Sequence, residues 1–177
     1  MTSQIDFKTV QKELPIFSTN ISQHREALQL ATQAILEERS KNPVPMKSNV
    51  FASYVSDYSS HLNNPKFKPL IDIVLSLCEE ISKQYFNVQL KYKCYNLWGM
   101  LYDKDDYTVK HNHFPSTFAA VIYIDVDSDS APIVFEDQLT VVPTSGSVVV
   151  FPAILDHLVP KTNGKRMVVA MNIDHVS

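Results

Sequence analysis

The sequence is poor in cysteine and in long apolar runs, and each shortage excludes a class of protein. Its two cysteines, Cys78 and Cys94, are too few for a disulfide framework and too far apart for a zinc ribbon or a redox motif. No apolar run is long enough to cross a bilayer, and the first residues lack the basic and apolar pattern of an export signal. We therefore expect a cytoplasmic protein with reduced thiols and no membrane partner.

The chain also lacks a block of charge of one sign. Its 16 basic and 19 acidic residues are interspersed and leave a formal net charge of −3. Proteins that bind nucleic acids or membrane surfaces usually carry a basic patch, so we expect neither partner. With 177 residues and 45% hydrophobic content, the sequence predicts a single domain with a sizeable core over residues 1–177.

The N-terminal part, residues 1–87, is expected to form strands and two supporting helices. Short β-prone runs at residues 5–10 and 14–17 predict edge strands. Apolar residues then recur at helical spacing from an N-cap at Asn20 or Ser22 to the breaker Asn42-Pro43. Each of these patterns is local, so it predicts the type of element better than its ends.

A second amphipathic helix is predicted from Pro65 to about Phe86. The polar and aromatic stretch before it, residues 44–64, is interpreted as irregular structure that could contact a substrate. From residue 88 onward the helical period gives way to about seven short β-prone runs separated by turn signals. That pattern predicts a mainly β fold, a sandwich or a barrel.

Histidines in this β-rich half suggest a metal site. Residues i and i+2 of a strand point to the same face, so His111 and His113 could converge on one ion. His157 could close the clamp, and Arg166, nine residues later, could supply a fixed positive charge for a carboxylate co-substrate.

The pair Asn163-Gly164 predicts how the last two of these residues are related. Asn-Gly favours a two-residue type I′ turn, which would place His157 opposite Ala170 in a hairpin. His157 and Arg166 would then point to one side, separated by roughly 10 to 13 Å. A five-carbon dicarboxylate could bridge that gap.

An ordered set of motifs resembles a known family. The set comprises His111-x-His113, Pro115-Ser116-Thr117, the strand 121–124, the run 146–152, and His157 with Arg166. It resembles the C-terminal half of the iron(II)- and 2-oxoglutarate-dependent dioxygenases. The likeness is closest to small oxygenases of marine phages and bacteria, and more distant to prolyl hydroxylases.

The resemblance covers residues 96–172 and implies a double-stranded β-helix, or jelly-roll, core in residues 88–177. It also implies iron(II), 2-oxoglutarate as co-substrate and O₂, with hydroxylation of a peptidyl or small-molecule substrate. If the chain is phage-encoded, the expected compartment is the host cytoplasm.

The resemblance further implies a role for each site residue. His111 matches the first metal ligand and His157 the distal one. Arg166 matches the group that pairs with the far carboxylate of 2-oxoglutarate, and Tyr123 matches a tyrosine that helps to hold it. Tyr102 stands where another tyrosine on the co-substrate side precedes the first ligand.

His113 departs from the family pattern, because prolyl hydroxylases have an aspartate at this position. Three neutral imidazoles would leave the site one charge more positive than two imidazoles and a carboxylate. His113 could also simply cap a turn. If a carboxylate binds the metal instead, Asp125, which shares the Tyr123 face by alternation, is the first candidate and Glu136 the second.

Two other interpretations stay open. One is a cupin-like dioxygenase with three histidines and no 2-oxoglutarate, and the other is a non-catalytic jelly-roll binding module. Tyr95 and Trp98 are interpreted as core aromatics. The remaining histidines have no converging partners and are left out of the site: His24, His61 and His175.

Overall fold

The computed structural model describes Lys8 and residues 11–176. Apart from Lys8, the strand predicted at residues 5–10 lies outside this part of the chain. The strand predicted at residues 14–17 is shifted toward the C-terminus, because β1 spans Phe17–Asn20 and pairs with a later strand, residues 147–150.

The first helix, α1, spans Arg25–Lys41 and buries the apolar residues whose spacing predicted it. Its N-cap is His24, so the predicted start at Asn20 or Ser22 is wrong. Those two residues form a local turn instead, in which the Asn20 side chain accepts a hydrogen bond of 2.8 Å from the Ser22 backbone N–H.

The segment 44–64, predicted to be irregular, contains three short elements: β2 (Val50–Phe51), β3 (Tyr54–Val55) and α2 (Ser60–Asn63). Here strand pairing across the chain, which a local pattern does not contain, overrides the polar composition. A 3₁₀ turn, Pro65–Phe67, leads into α3, Lys68–Tyr85, as the second helix. None of the helices in the described residues has the length and apolarity to span a membrane.

Antiparallel pairing arranges the strands in two sheets. The strands after α3 are β4 (Lys91–Tyr102), β5 (Tyr107–His111), β6 (Phe118–Val126), β7 (Ile133–Phe135), β8 (Leu139–Val141), β9 (Ser147–Pro152), β10 (His157–Val159) and β11 (Arg166–Val176). The larger sheet has the order β1-β9-β6-β11-β4-β3, and the smaller sheet has the order β2-β5-β10-β7-β8. Strands β4 to β11 cross between the sheets in the order of a double-stranded β-helix, which confirms the predicted jelly roll.

Alternation along β11 divides the core in two. Val169, Met171 and Ile173 face the helices and pack in one apolar cluster with residues of α1 and α3. Val168 and Ala170 point the other way, into a second cluster between the two sheets. The larger sheet is therefore covered by helices on one face and by the smaller sheet on the other.

The hairpin predicted around Asn163-Gly164 is wrong. His157 begins β10 and pairs with His111 and Phe135 in the smaller sheet, whereas Ala170 lies in the larger sheet opposite Trp98 and Val121. The loop between β10 and β11 is held by hydrogen bonds to the chain around Asp129, not by a tight turn of its own.

Two hydrogen bonds show how this loop is held. The hydroxyl of Thr162 accepts from the Ala131 N–H at 3.0 Å, and the Gly164 N–H donates to the Asp129 carbonyl at 3.2 Å. Gly164 also lacks the positive φ that a type I′ turn requires. Contacts distant in sequence therefore decide the path of the chain here.

Gly99 of β4 allows α1 to approach the larger sheet closely. A Cβ at Gly99 would lie 2.9 Å from Cδ1 of Ile35, and nearer still to its Cγ1. Ile35 is fully buried and has little room to move. Close packing of α1 on the sheet thus requires a residue without a side chain at position 99.

We expect Gly99→Ala to lower the free energy of unfolding by roughly 1–3 kcal/mol, because overpacking forces side chains out of their rotamers. Urea denaturation would measure this loss. In the double variant Gly99→Ala/Ile35→Ala the added methyl group has space. The loss of stability measured for the double variant should therefore be smaller than the sum of the losses of the two single variants. Strict additivity would contradict the proposed contact.

Candidate metal centre and its cavity

Three histidines lie together where the two sheets face each other. His111 ends β5, His157 begins β10, and the two are paired across the smaller sheet. With His113, they offer ring nitrogens that all lie within 4.8 Å of one another. Nε2 of His113 is 3.3 Å from Nε2 of His157. The arrangement has the donor type and spacing of a metal site.

His113 belongs to this cluster, but it does not lie on the same strand as His111, contrary to the prediction from the sequence. Strand β5 ends at His111, so His113 lies in the following loop and not on the same strand face. Its backbone N–H donates to the Ala153 carbonyl at 2.7 Å, which fixes the loop against the chain that leads into β10. The pairing of His111 with His157, invisible in the local sequence, forms the other side of the cluster.

Backbone carbonyls orient two of the rings. With the proton on Nδ1, His111 donates to the Val109 carbonyl at 2.9 Å and His157 donates to the Leu155 carbonyl at 3.1 Å. Each ring then presents the lone pair of Nε2 to the cluster. Such second contacts are what holds a histidine ligand in one tautomer and one orientation.

Burial keeps the three imidazoles neutral. It lowers the pKa of His113 to about 3, with help from the nearby His157 and His111 rings, while a contact with Asn172 acts in the opposite direction. Burial, followed by the His111 ring, lowers the pKa of His157 to about 4. The pKa of His111 is also lowered by burial. Near pH 7 all three rings therefore keep the lone pairs that bind a metal.

Neither carboxylate candidate lies in the cluster. A bulge between β6 and β11 places Asp125 opposite Met167 but Tyr123 opposite Val168, so the expected shared face of Asp125 and Tyr123 is wrong. Glu136 accepts a hydrogen bond of 2.8 Å from the Asp156 N–H. Within residues 11–176, the histidine cluster is the one group of three or more His, Cys, Asp or Glu side chains with this spacing.

Arg166 brings a buried positive charge into the same space. Only 4% of the residue is exposed, and its guanidinium carbon lies 4.1 Å from the centroid of the Tyr102 ring. Nη1 donates to the Ala131 carbonyl at 2.7 Å, but the buried Nε has no partner. No carboxylate of the described chain forms an ion pair with Arg166. Since an unpaired buried charge is costly, an anion that paired with this guanidinium would lower that cost.

Two tyrosines complete the environment of Arg166. The hydroxyl groups of Tyr102 and Thr108 are 2.7 Å apart and share a hydrogen bond. Burial raises the pKa of Tyr102 and that of Tyr123, in both cases against the neighbouring positive charge of Arg166. Both phenols therefore stay protonated near pH 7 and can donate a hydrogen bond.

The six predicted residues of the metal and co-substrate site all line one cavity, which measures about 430 Å³ when the open solvent at its mouth is counted. The rest of its wall is mostly apolar. The predicted residues that the structure brings to this cavity are His111, His113, His157, Arg166, Tyr123 and Tyr102. The fold thus encloses a histidine cluster and a buried arginine in one chamber between the sheets.

The sequence interpretation missed two further residues of the site. Trp98, interpreted as a core aromatic, lines the cavity with its ring centroid 5.9 Å from that of His113. Thr108 lines the same cavity. The signal for Trp98 was its even spacing from Tyr102 on one strand, which places both on one face. Tyr95, also interpreted as core, is 60% exposed, so that interpretation is wrong.

Solved structures of iron(II)- and 2-oxoglutarate-dependent oxygenases share this fold. An oxygenase of that family from Burkholderia pseudomallei has a TM-score of 0.54 at 16% identity, over 63% of this chain and 59% of that one. A Trichoplax adhaerens prolyl hydroxylase, in complex with a hypoxia-inducible-factor peptide, has a TM-score of 0.66 at 11% identity, over 90% and 83%.

The collagen prolyl hydroxylase of Paramecium bursaria Chlorella virus 1, in complex with 2-oxoglutarate, has a TM-score of 0.65 at 11% identity, over 92% of this chain and 96% of that one. No protein-family model and no curated sequence matches the chain. At such identities the likeness shows a common fold.

The lowered pKa values predict that the metal-free protein loses stability on acidification. Between pH 6.5 and the folded-state values of about 4 for His157 and 3 for His113, the unfolded chain binds protons that the folded chain does not. We therefore expect the free energy of unfolding to fall from pH 7 to pH 5. Urea denaturation in the presence of a chelator would measure it.

His113→Asn should make this fall shallower, because one of the groups that protonate only on unfolding is removed. His24→Asn, at an exposed histidine outside the cluster, serves as the matched control. An unchanged pH dependence in His113→Asn would contradict the role of burial at this ring.

Proposed function

We propose that the protein is a non-haem iron(II)- and 2-oxoglutarate-dependent dioxygenase that hydroxylates a peptidyl or small-molecule substrate, in the manner of the prolyl hydroxylases. One observation carries the proposal: Arg166 is buried, forms no ion pair within the described chain, and lines the same cavity as the three histidines. A metal-binding cluster and an unpaired cation in one chamber suit a ligand with an anionic group at its far end. The shared fold supports the same conclusion.

His111, His113 and His157 would hold the iron. Neutral imidazoles suit iron(II), and three of them leave coordination positions for a co-substrate and for O₂. Bound iron would supply the oxidising chemistry, coupled to the decarboxylation of 2-oxoglutarate. The protein contributes the orientation of the rings, through the carbonyls of Val109 and Leu155, and a cavity with a mostly apolar wall.

Arg166 would bind the far carboxylate of 2-oxoglutarate. Its Nε–H has no partner within the described chain, so the guanidinium can donate a charge-assisted hydrogen bond to a carboxylate oxygen. Tyr123 and Tyr102 line the cavity beside Arg166 and would hold the co-substrate with it. Val168 and Ala170 are small enough to leave room for the carbon chain.

The third histidine also suits a dianionic co-substrate. Because His113 replaces a carboxylate, the protein ligands would leave both positive charges of iron(II) uncompensated. Together with Arg166, the cavity would hold three positive charges before the co-substrate enters. 2-Oxoglutarate carries two negative charges near pH 7 and would neutralise most of them. A metal dioxygenase without 2-oxoglutarate would leave Arg166 unpaired.

We also propose that the chain works as one oxygenase domain in the cytoplasm. Helices α1 and α3 pack on the larger sheet, whose other face lines the cavity, so the helices support the site directly. Cys78 and Cys94 are both free, as a reducing compartment favours.

We expect His157→Ala to abolish binding of iron, since it removes one of the three proposed ligands. Iron content after anaerobic loading would measure it, with His24→Ala as the matched control at a histidine outside the cluster. A full equivalent of iron in His157→Ala would remove that residue from the metal site.

The wild-type protein should form succinate from 2-oxoglutarate in the presence of iron(II) and O₂. Arg166→Ala should raise the 2-oxoglutarate concentration for half-maximal turnover roughly 10- to 100-fold, the effect of losing one or two charge-assisted hydrogen bonds. Circular dichroism should report an intact fold.

Lys165→Ala is the matched control, because Lys165 is the adjacent cation but its side chain is exposed and near Asp103. It should leave the 2-oxoglutarate requirement unchanged. An unchanged requirement in Arg166→Ala would remove Arg166 from this role. Oxygen consumption without succinate would contradict 2-oxoglutarate as the co-substrate.

A further inference from the structure

The three histidines of the cluster differ in what orients their rings. His111 and His157 each form a hydrogen bond through Nδ1 to the carbonyl two residues earlier in the chain. Among the described residues, the ring of His113 contacts no such carbonyl, and its hydrogen-bond contacts are with His157 and Asn172. The orientation of this third ring therefore depends on a side chain rather than on its own backbone.

The ring of His113 presents Nε2 to the cluster, where this atom lies 3.3 Å from Nε2 of His157. In the neutral ring one nitrogen carries the proton, and only the other has a lone pair for a metal. A carboxylate ligand at this position would face no such choice, since either oxygen can bind. A hydrogen-bond acceptor beside Nδ1 would therefore hold His113 in the tautomer that binds metal through Nε2.

Asn172 supplies such an acceptor from the larger sheet. It belongs to β11, and it lines one cleft together with His113. Its contact with the ring raises the pKa of His113 against the opposite effect of burial. An acceptor oxygen has this effect, because it stabilises the protonated ring, whereas a donor NH₂ group would not. Oδ1 of Asn172 is buried, and no other group of the described chain engages it.

A second carboxamide fixes the direction of the first. Nδ2 of Asn172 donates to Oδ1 of Asn96 at 3.4 Å. The two asparagines are directly opposite each other in the pairing of β4 with β11. Because the donor end of the Asn172 carboxamide is engaged by Asn96, its acceptor end is left for His113.

The backbone holds this pair of asparagines at a defined place. The pairing shifts between Asn172 and Ile173, so Tyr95 is an extra residue beside Asn96. A bulge of this kind bends a strand and changes the direction of its side chains. On the other side of the bulge, alternation puts Asn172 on the same face of β11 as Ala170, which lines the inner cavity. Paired strands, not a loop, therefore position the carboxamides.

We propose that Asn172 is the positioning residue for His113. Its Oδ1 accepts from Nδ1–H of the ring, and Asn96 keeps the carboxamide in the direction that allows this contact. Asn172 acts through His113 and does not bind the metal itself. The inference rests on the proposed function only in treating the histidine cluster as a metal site.

The tautomer of His113 can be measured without metal and without turnover. Two-bond ¹H–¹⁵N NMR spectra distinguish the two neutral forms of a histidine, and His113→Asn identifies the signal by its loss. At pH 7, with chelator present, wild-type His113 should carry its proton on Nδ1. Asn172→Leu keeps nearly the same volume but removes both polar atoms. The tautomer ratio in this variant should shift about tenfold toward Nε2–H, the effect of one lost hydrogen bond.

Metal affinity provides the second measurement. Cobalt(II), which reports its ligands through visible absorption, is titrated against a competing chelator in the absence of 2-oxoglutarate. Asn172→Leu should weaken binding of cobalt about 10- to 100-fold. Asn172→Asp keeps an acceptor in a side chain of the same shape, so it should restore both the Nδ1–H tautomer and the affinity. Asn42→Ala, at an exposed asparagine that ends α1, is the matched control and should bind like the wild type.

A wild-type His113 with its proton on Nε2 would overturn the inference, and so would an unchanged affinity for cobalt in Asn172→Leu. Equal losses in Asn172→Leu and Asn172→Asp would overturn it as well, because they would show that Asn172 only packs. A wild-type protein that binds no cobalt would instead contradict the proposed function. The tautomer of His113 in the metal-free protein would then still decide the role of Asn172.

Discussion

A positive charge buried between two β-sheets is the constraint on which the rest of the site depends. Arg166 lies at the start of β11, in the wall of a mostly apolar chamber, with one carbonyl partner and no ion pair to a carboxylate of the described chain. The low polarity of that chamber strengthens every charge interaction within it. Within the described chain the Ala131 carbonyl and the Tyr102 ring offset part of the cost of the buried guanidinium, and an anionic ligand would offset more of it.

The same low polarity has a different effect on the histidine cluster, because these rings can lose their charge. Burial disfavours imidazolium, so the pKa values of His113 and His157 fall and the rings keep their lone pairs. The guanidinium of an arginine keeps its positive charge in such an environment. One environment thus keeps the three imidazoles neutral and leaves a permanent cation in the wall of the same cavity.

Part of this arrangement could be predicted from the sequence. The apolar period of α1 and α3, and the change to short β-prone runs, are local signals of element type. The order of His111, His113, His157 and Arg166 indicated the site, and all four line one cavity. Helix starts and the elements of residues 44–64 were not predictable, because caps and edge strands depend on distant partners.

The failed hairpin shows where local reasoning ends. The pair Asn163-Gly164 favoured a tight turn. Instead, Thr162 and Gly164 form hydrogen bonds with the chain at Ala131 and Asp129, and β10 and β11 lie in different sheets. The sequence alone determined which chemical groups are available, three histidines and Arg166, and the alternation of apolar residues that forms the strands. Only the tertiary structure decided that His111 pairs with His157, that Asp125 turns away at a bulge, and that Trp98 lines the cavity beside His113. Those outcomes depend on strand pairing between residues far apart in the chain, and local pattern carries no information about it.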